Sequence, residues 1–301
     1  NPETGTIVME NDGNGIDIIR HEKEGVYIPQ MIFFELLSGT NFNDKEERTW
    51  GGRNGYGSKL ISIFSKECTI ETVDAVRHLK YRQTCRDNMS VIEAPVIEKC
   101  RTLPFTRLTF KPDLKRFGMK RLDDSDHLSL MHKRVLDIAA CTSKTISVSY
   151  NGVKVQVRDF ESYIDLFLGS KKEIKRVKLQ PNDRWEVYVA ISPTEKFEQT
   201  SFVNGVSTTR GGKHVDHVST IIANQLCSSI KEKKKTTLKD LKPQIVKNCL
   251  WVFVNSTIIN PEFDNQMKDC LTTPSKSFGS KFDLSEDDVA RLIKLGLVES
   301  C

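Results

Sequence analysis

A chain of 301 residues is long enough for two hydrophobic cores rather than one. With 38% hydrophobic and 28% charged residues it has a globular composition, not a disordered one, and no apolar run approaches the roughly 18 residues a membrane helix needs. The net charge of +5 is too mild to separate a nucleic-acid binder from a neutral enzyme.

The chain opens inside what reads as folded sequence, so no signal peptide is expected. Thr4 to Glu10 reads as a strand, and Asn11-Asp12-Gly13-Asn14-Gly15 as the turn that ends it. Pro29 opens a buried helix over Met31 to Leu37. A polar loop from Gly39 to Asn54 leads to a helix over Gly55 to Phe64. Strands are predicted at Cys68–Val73, Leu79–Thr84, Ala94–Glu98 and Thr106–Phe110. Leu128, Met131, Val135 and Ile138 recur at helical spacing. Thr145–Tyr150 and Val153–Val157 flank Asn151-Gly152, a hairpin signal.

A second unit begins after that hairpin, near residue 157. It holds a helix over Phe160–Leu168, a solvated basic loop over Lys171–Lys178 and a strand over Trp185–Ile191. Next comes a helix with Val215, Val218, Ile222, Leu226 and Ile230 on one face, then a strand over Leu250–Val254. The expected organisation is therefore residues 1–157 as one domain and 158–301 as another.

Three segments carry candidate chemistry. Gly51-Gly52-Arg53-Asn54-Gly55-Tyr56-Gly57-Ser58-Lys59 lets backbone N–H groups approach an anion, and the helix behind it offers its positive end. The order Gly-Ser-Lys is not that of a P-loop, and no strand precedes it as a dinucleotide fingerprint requires. Alone, the loop equally describes a flexible helix cap. Asn11 closes a strand beside two glycines, against which a flat ring can lie while the amide oxygen accepts from an exocyclic amine. Gln266 and Lys268, two apart in a polar loop, can present donors to a phosphate.

Taken together and in this order, these segments resemble the eukaryotic branch of the type IIA topoisomerases, whose ATPase is of the GHKL class. The resemblance also covers Tyr27-Ile28-Pro29, Gly39-Thr40-Asn41, Phe110-Lys111-Pro112-Asp113-Leu114, Ser201-Phe202-Val203-Asn204, Thr209-Arg210-Gly211-Gly212-Lys213-His214-Val215, Trp251-Val252-Phe253-Val254-Asn255 and Ser277-Phe278-Gly279-Ser280-Lys281. It implies an α+β protein: a GHKL (Bergerat) sandwich with helices on one face of a mixed sheet, then a smaller transducer domain resembling the ribosomal S5 β-α-β unit.

The resemblance also implies roles. Asn11 would read the adenine amine, with Thr106 lining the same pocket. Gly39, Thr40 and Asn41 would contact sugar and phosphates. Gly52, Arg53, Asn54, Gly55, Tyr56, Gly57, Ser58 and Lys59 would wrap the triphosphate of ATP. Gln266 and Lys268, the catalytic contacts expected here, would reach the γ-phosphate, Lys268 stabilising charge as it develops. Met267, counted with them in the nucleotide-binding loop, stands where the family usually has threonine. The family's general base and Mg²⁺ ligand lie on a Glu-x-x-x-Asn helix before the first strand, upstream of Asn1, and no later segment substitutes for it. No metal ligand is assigned within the chain.

Lys231 to Lys247 carries a local excess of +5, and charge runs are usually solvated. In the family, a cluster corresponding to Lys233, Lys234 and Lys235 lies near the cavity that receives double-stranded DNA, contacting phosphate without reading sequence. The resemblance further implies a nuclear enzyme, homodimeric when complete, that passes one duplex through another and does not enter membranes. The alternative is a non-catalytic, truncated pseudo-ATPase that only binds. His214, at a helix start, is expected to order a turn rather than transfer protons. The eight cysteines show no C-x-x-C pair and are expected as free thiols in a reducing compartment.

Overall fold

The computed structural model describes residues 1–36, 46–50, 52, 55–170, 174–180, 182–232 and 241–297. They divide into two compact units: residues 1–36, 52 and 55–131, and residues 46–50 with 132–297.

The first unit is a sheet with helices on one face. Its strands are β1 (Ile7–Asn11), β2 (Ser65–Asp74), β3 (Leu79–Arg86), β4 (Val91–Ile92), β5 (Val96–Lys99) and β6 (Thr106–Pro112). The order is β1-β6-β2-β3-β4, with β5 also on β3. Every described pairing is antiparallel, which corrects the expectation of a mixed sheet here.

Register and pleat give each face its own chemistry. Across β1, β6, β2 and β3, Ile7, Phe110, Cys68 and Cys85 stand in one row, and Met9, Leu108, Ile70 and Gln83 in the next. Helices α1 (Ile28–Phe34) and α2 (Gly57–Ile63) supply Phe33, Phe34 and Ile61 to the core these rows build. Two serines one turn apart fasten α2 to the end of α1: Ser58 Oγ donates to the Ile32 carbonyl (2.8 Å) and Ser62 Oγ to that of Phe33 (3.2 Å). The opposite face carries alternating charge. Glu10, Arg107, Glu71 and Arg82 are consecutive cross-strand partners. Arg107 pairs with Glu10 and lies 3.7 Å from Glu71, which Lys80 approaches at 3.5 Å.

The second unit has helices on both faces of a five-stranded sheet ordered β12-β11-β13-β10-β9. The strands are β9 (Arg176–Lys178), β10 (Trp185–Ile191), β11 (Glu198–Val203), β12 (Val206–Ser207) and β13 (Leu250–Ser256); a small hairpin, β7 (Ser149–Tyr150) with β8 (Val153–Lys154), stands apart. β11 and β13 are parallel. A parallel pair needs a crossover, and α5 (Lys213–Glu232) supplies it, giving the expected β-α-β unit. Alternate residues serve two cores: Val187, Val189, Val203, Val252 and Val254 face α5, α6 (Pro243–Asn248) and α7 (Glu286–Lys294). Tyr188, Ala190, Phe202 and Phe253 face α4 (Phe160–Leu168) and the end of α3 (Ser125–Cys141).

That second core explains where the units divide. Ala139, Ala140, Val155 and Val157 are sealed into it with Phe160 and Tyr163, so the division falls within α3 instead of near residue 157. The second unit is consequently the larger among the described residues. The basic stretch after α4 is also not wholly a solvated loop. Arg176 lies in β9, 2% exposed at its side chain, paired with Asp165 of α4.

Candidate functional site

In the first unit, Asn11 and Thr106 are direct partners across β1 and β6. With Thr72 they form the next row on the helix-bearing face. The Thr72 hydroxyl donates to the Phe105 carbonyl (3.0 Å), lies 3.0 Å from that of Thr106 and accepts from Ile16 N–H (3.0 Å). Asn11 itself is exposed, its side-chain oxygen only loosely engaged by Gly13 N–H at 3.4 Å. This is an amide at a strand end beside a hydroxyl, free to meet a ligand.

The turn after Asn11 passes over the end of β2. Gly15, at φ +75°, sits so close that a Cβ would lie 1.9 Å from the Val73 carbonyl oxygen, so no larger residue fits. Asp74 anchors the segment beyond this turn, accepting from the N–H groups of Ile18 (3.0 Å), Val76 (2.8 Å) and Arg77 (3.0 Å) and from the Arg77 guanidinium (2.9 Å). Burial alone would raise its pKa, but these donors together hold the carboxyl well below the ordinary range.

Of the glycine-rich loop, Gly52 and residues 55–59 are described. Gly55 takes φ +64°, and nothing lies within 4 Å of where a Gly57 Cβ would be. The cap residue of α2, Tyr56, gives no side-chain hydrogen bond to the helix, so its first N–H groups have no side-chain cap. Lys59, in the first turn, is 3% exposed. Burial lowers its pKa, and among the described residues no negative charge offsets the effect.

In the second unit, the loop bearing Gln266, Met267 and Lys268 is the tip of a hairpin closed by the Phe263–Leu271 bridge. Asn265 organises the tip, its side-chain oxygen accepting from Met267 N–H (2.8 Å) and Lys268 N–H (3.2 Å). Gln266 is exposed and Met267 is 74% exposed, while burial lowers the Lys268 pKa.

The Gly211–His214 motif proves to be the seat of this hairpin. Leu271 N–H donates to the Gly211 carbonyl (3.1 Å) and the Leu271 carbonyl accepts from Lys213 N–H (3.0 Å). Gly212 lies between them at φ +128°, where a Cβ would come within 2.4 Å of Leu271 backbone. Arg210 adds ion pairs to Asp264 (2.7 Å) and Asp269 (3.5 Å).

His214 is structural, as expected from its place at the start of α5. It is fully buried, and its Nε2 lies 3.2 Å from Thr208 Oγ1. A chain of hydroxyls fixes its tautomer. Ser201 must donate to the Gln199 side-chain oxygen (2.6 Å), so Thr208 donates to Ser201 (2.6 Å) and His214 Nε2–H donates to Thr208. Nδ1 is left unprotonated and without a partner. Burial pushes the ring pKa down to about 3.

Gly39, Thr40, Asn41, Arg53, Asn54, Lys233, Lys234 and Lys235 lie outside the described residues. Sequence reasoning did not reach Thr72 or Asp74, and gave Arg210 no role of its own; the signal for Thr72 is its alternation with Cys68 and Ile70, which puts it on the core-facing side. Nor did it reach Arg48, whose main chain and side chain both bind Asn260 in the second unit.

Comparison with known proteins gives one consistent result. Residues 159–286 match a family model described as DNA gyrase B. Over 99% of its length the chain is 45% identical to DNA topoisomerase 2 of Arabidopsis thaliana and 43% identical to that of Drosophila melanogaster, covering 20% and 21% of those proteins. It thus spans about a fifth of their length. Among solved structures, the ATPase and transducer domains of DNA topoisomerase II from Balamuthia mandrillaris match with a TM-score of 0.92 at 40% identity, covering all of this chain and 76% of that one. The ATPase region of Saccharomyces cerevisiae topoisomerase II matches at 0.88 and 41%, covering 99% and 76%.

Proposed function

The chain belongs to the DNA topoisomerase 2 family, and we propose that its two units are the nucleotide-binding and transducer portions through which ATP drives DNA strand passage by the whole enzyme. The observation that carries this reading is Lys59, a buried lysine with no countercharge among the described residues, in the first turn of a helix that has no side-chain cap. Such an ammonium is costly until an anion arrives, and a polyphosphate supplies the missing charge.

The remaining roles rest on chemistry already described. Asn11 offers an amide oxygen to the adenine amine, with Thr106 beside it. Gly39, Thr40 and Asn41, with Gly52 to Lys59, hold sugar and phosphates. The hairpin tip brings Gln266 and Lys268 to the γ-phosphate, where Lys268 balances charge developing on the transferred group. Met267, almost fully solvated, contributes only to the shape of the tip. Because the tip is seated on α5, loss of the γ-phosphate is felt at the crossover helix of the second unit.

Among the described residues no group of three or more His, Cys, Asp or Glu side chains is placed to hold a metal ion. A Mg²⁺ ion accompanying ATP would draw most of its ligands from phosphate oxygens and water. Lys233, Lys234 and Lys235 contact the phosphates of double-stranded DNA in a nuclear, homodimeric enzyme; changing all three to alanine lowers the salt slope of DNA binding by up to about 0.9 per lost contact.

The decisive test is Lys268→Ala in the complete enzyme. ATP turnover falls on the order of 10²–10³-fold, as for loss of one oxyanion donor, while ADP affinity is nearly unchanged because ADP lacks the contacted group. Equal losses for ADP and ATP would remove Lys268 from the γ-phosphate.

A further inference from the structure

The register of β2 and β3 sets Cys68 directly opposite Cys85. Both are sealed in the core of the first unit, 0% and 1% exposed, and both are free thiols. The two thiols interact with each other electrostatically, and Ser62 Oγ of α2 lies 3.5 Å from Cys68 Sγ. Ser62 Oγ is the donor in this contact, and it also donates to the Phe33 carbonyl. Residues facing each other across antiparallel strands have Cα atoms about 4.5 or 5.5 Å apart. Either value falls inside the roughly 4.4–6.8 Å that a disulfide spans. The pair therefore needs side-chain rotation, and no movement of the strands, to join.

We infer that Cys68 and Cys85 are a reversible redox site, which closes to a cross-strand disulfide when a hydroperoxide oxidises it. Cys68 sulfur attacks the peroxide O–O bond, giving a sulfenic acid and one water. Cys85 sulfur then displaces the hydroxyl from Cys68, forming the S–S bond, and its proton leaves with that hydroxyl as a second water. The two thiols lose two electrons and two protons, and hydrogen peroxide is reduced to two waters. A thiol reductant reverses the step.

The order of events is set by the pair's asymmetry. The interaction with Cys85 holds the Cys68 thiol below its usual pKa, and the same interaction with burial drives Cys85 well above. Cys68 is thus the sulfur that reaches the reactive thiolate form, and Cys85 the one that resolves. Peroxide is small enough to enter through the local openings that sheets undergo. Closing the bond removes the Cys68 proton and alters the sulfur to which Ser62 donates, the residue that fastens α2 to α1. The redox state is therefore read at the helix whose first turn carries Lys59.

The 301-residue chain is incubated with hydrogen peroxide, its remaining thiols are blocked in denaturant, and the unreduced digest is mapped by mass spectrometry. A peptide joining Cys68 to Cys85 is expected, lost on reduction, with a rise in Tm on the order of 5–10 °C for a loop of this length. Cys85→Ser should stop at a Cys68 sulfenic acid that a dimedone probe traps. The half-exposed Cys100 and Cys270 serve as internal clocks. If both have reacted fully while Cys68 and Cys85 are recovered as thiols, and the same holds in urea just below the unfolding transition, the inference is wrong. Linkage of Cys68 to any other cysteine overturns it equally. None of these readouts involves nucleotide.

Discussion

The side-chain oxygen of Asn260 accepts two hydrogen bonds from Arg48, one from its backbone N–H at 3.0 Å and one from its Nε at 3.2 Å. The backbone N–H of Asn260 returns a third to the Arg48 carbonyl at 2.9 Å. Arg48 is 4% exposed and stands just ahead of the glycine-rich loop, while Asn260 stands just ahead of the hairpin bearing Gln266 and Lys268. One amide therefore holds Arg48 against the segment that leads into the hairpin, within the second unit. Asn260→Leu strands two buried donors, and unfolding in urea should show a loss of about 2–4 kcal/mol. Asn260→Asp keeps the acceptor facing the guanidinium and should lose less. A loss below about 0.5 kcal/mol for the leucine variant would make this anchorage incidental.

Gly212 and Gly205 offer a matched comparison. Both have positive φ, but a Cβ at Gly205 meets nothing within 4 Å, whereas at Gly212 it strikes Leu271 backbone. Gly205→Ala should cost about 1–2 kcal/mol from backbone strain alone. Gly212→Ala should cost about 3–5 kcal/mol and unseat the hairpin, visible as new hydrogen exchange at Leu271 N–H. Similar costs for the two variants would argue that the seat is soft.

Lys59 gives a prediction with opposite signs. Lys59→Met removes a buried charge with no countercharge among the described residues, so the nucleotide-free chain should gain about 0.5–2 kcal/mol. Losing a charged hydrogen bond of about 1.5–3 kcal/mol should weaken binding of a non-hydrolysable ATP analogue by about 10–150-fold. Calorimetry measures both quantities on one preparation. A destabilised variant with unaltered analogue affinity would make Lys59 a packing residue.

His214 sets an acid limit on stability. Its ring has a pKa of about 3 when folded and 6.5 when unfolded, so below pH 6.5 the unfolded chain takes up a proton that the folded chain refuses. Stability contributed by the neutral ring is full above pH 6.5 and declines as pH falls towards about 3. His214→Gln, which can still donate to Thr208, should flatten the urea midpoint between pH 6.5 and 4. A profile as steep as the parent's would assign the decline to carboxylates instead.

Much of this was legible in the sequence because local chemistry determined it. Alternation in β2, β3 and β10, proline at the head of α1 and the apolar stripe of α5 each name an element from neighbouring residues. What stayed hidden was pairing at long range. Nothing in Gly211-Gly212 reveals that its partner is Leu271, and nothing in Arg48 reveals Asn260, because those contacts are fixed by where whole elements pack. β11 escaped because Glu198-Gln199-Thr200-Ser201 is polar, yet its parallel place beside β13 buries Ser201 and Phe202. α7 was missed although Ser285 and Asp288 form a capping box readable in sequence.

The charged row across the first sheet bears on how the strands find their partners. A slip of one residue between β2 and β6 would turn the apolar side chains outward and is rejected by hydrophobicity. A slip of two keeps every apolar side chain facing inward, so burial hardly distinguishes it from the native alignment. It would, however, move Arg107 opposite Thr69 or Val73, and Glu71 opposite Thr109 or Phe105, losing the pairing of Arg107 with Glu71 and leaving Arg107 only Glu10 and Glu71 only Lys80. Solvated ion pairs of this kind add little to the finished protein; their use lies in rejecting the near-miss alignment. Concentrated salt should therefore leave equilibrium stability almost untouched while lowering the yield of correctly refolded chains, with the shortfall held in misaligned sheets.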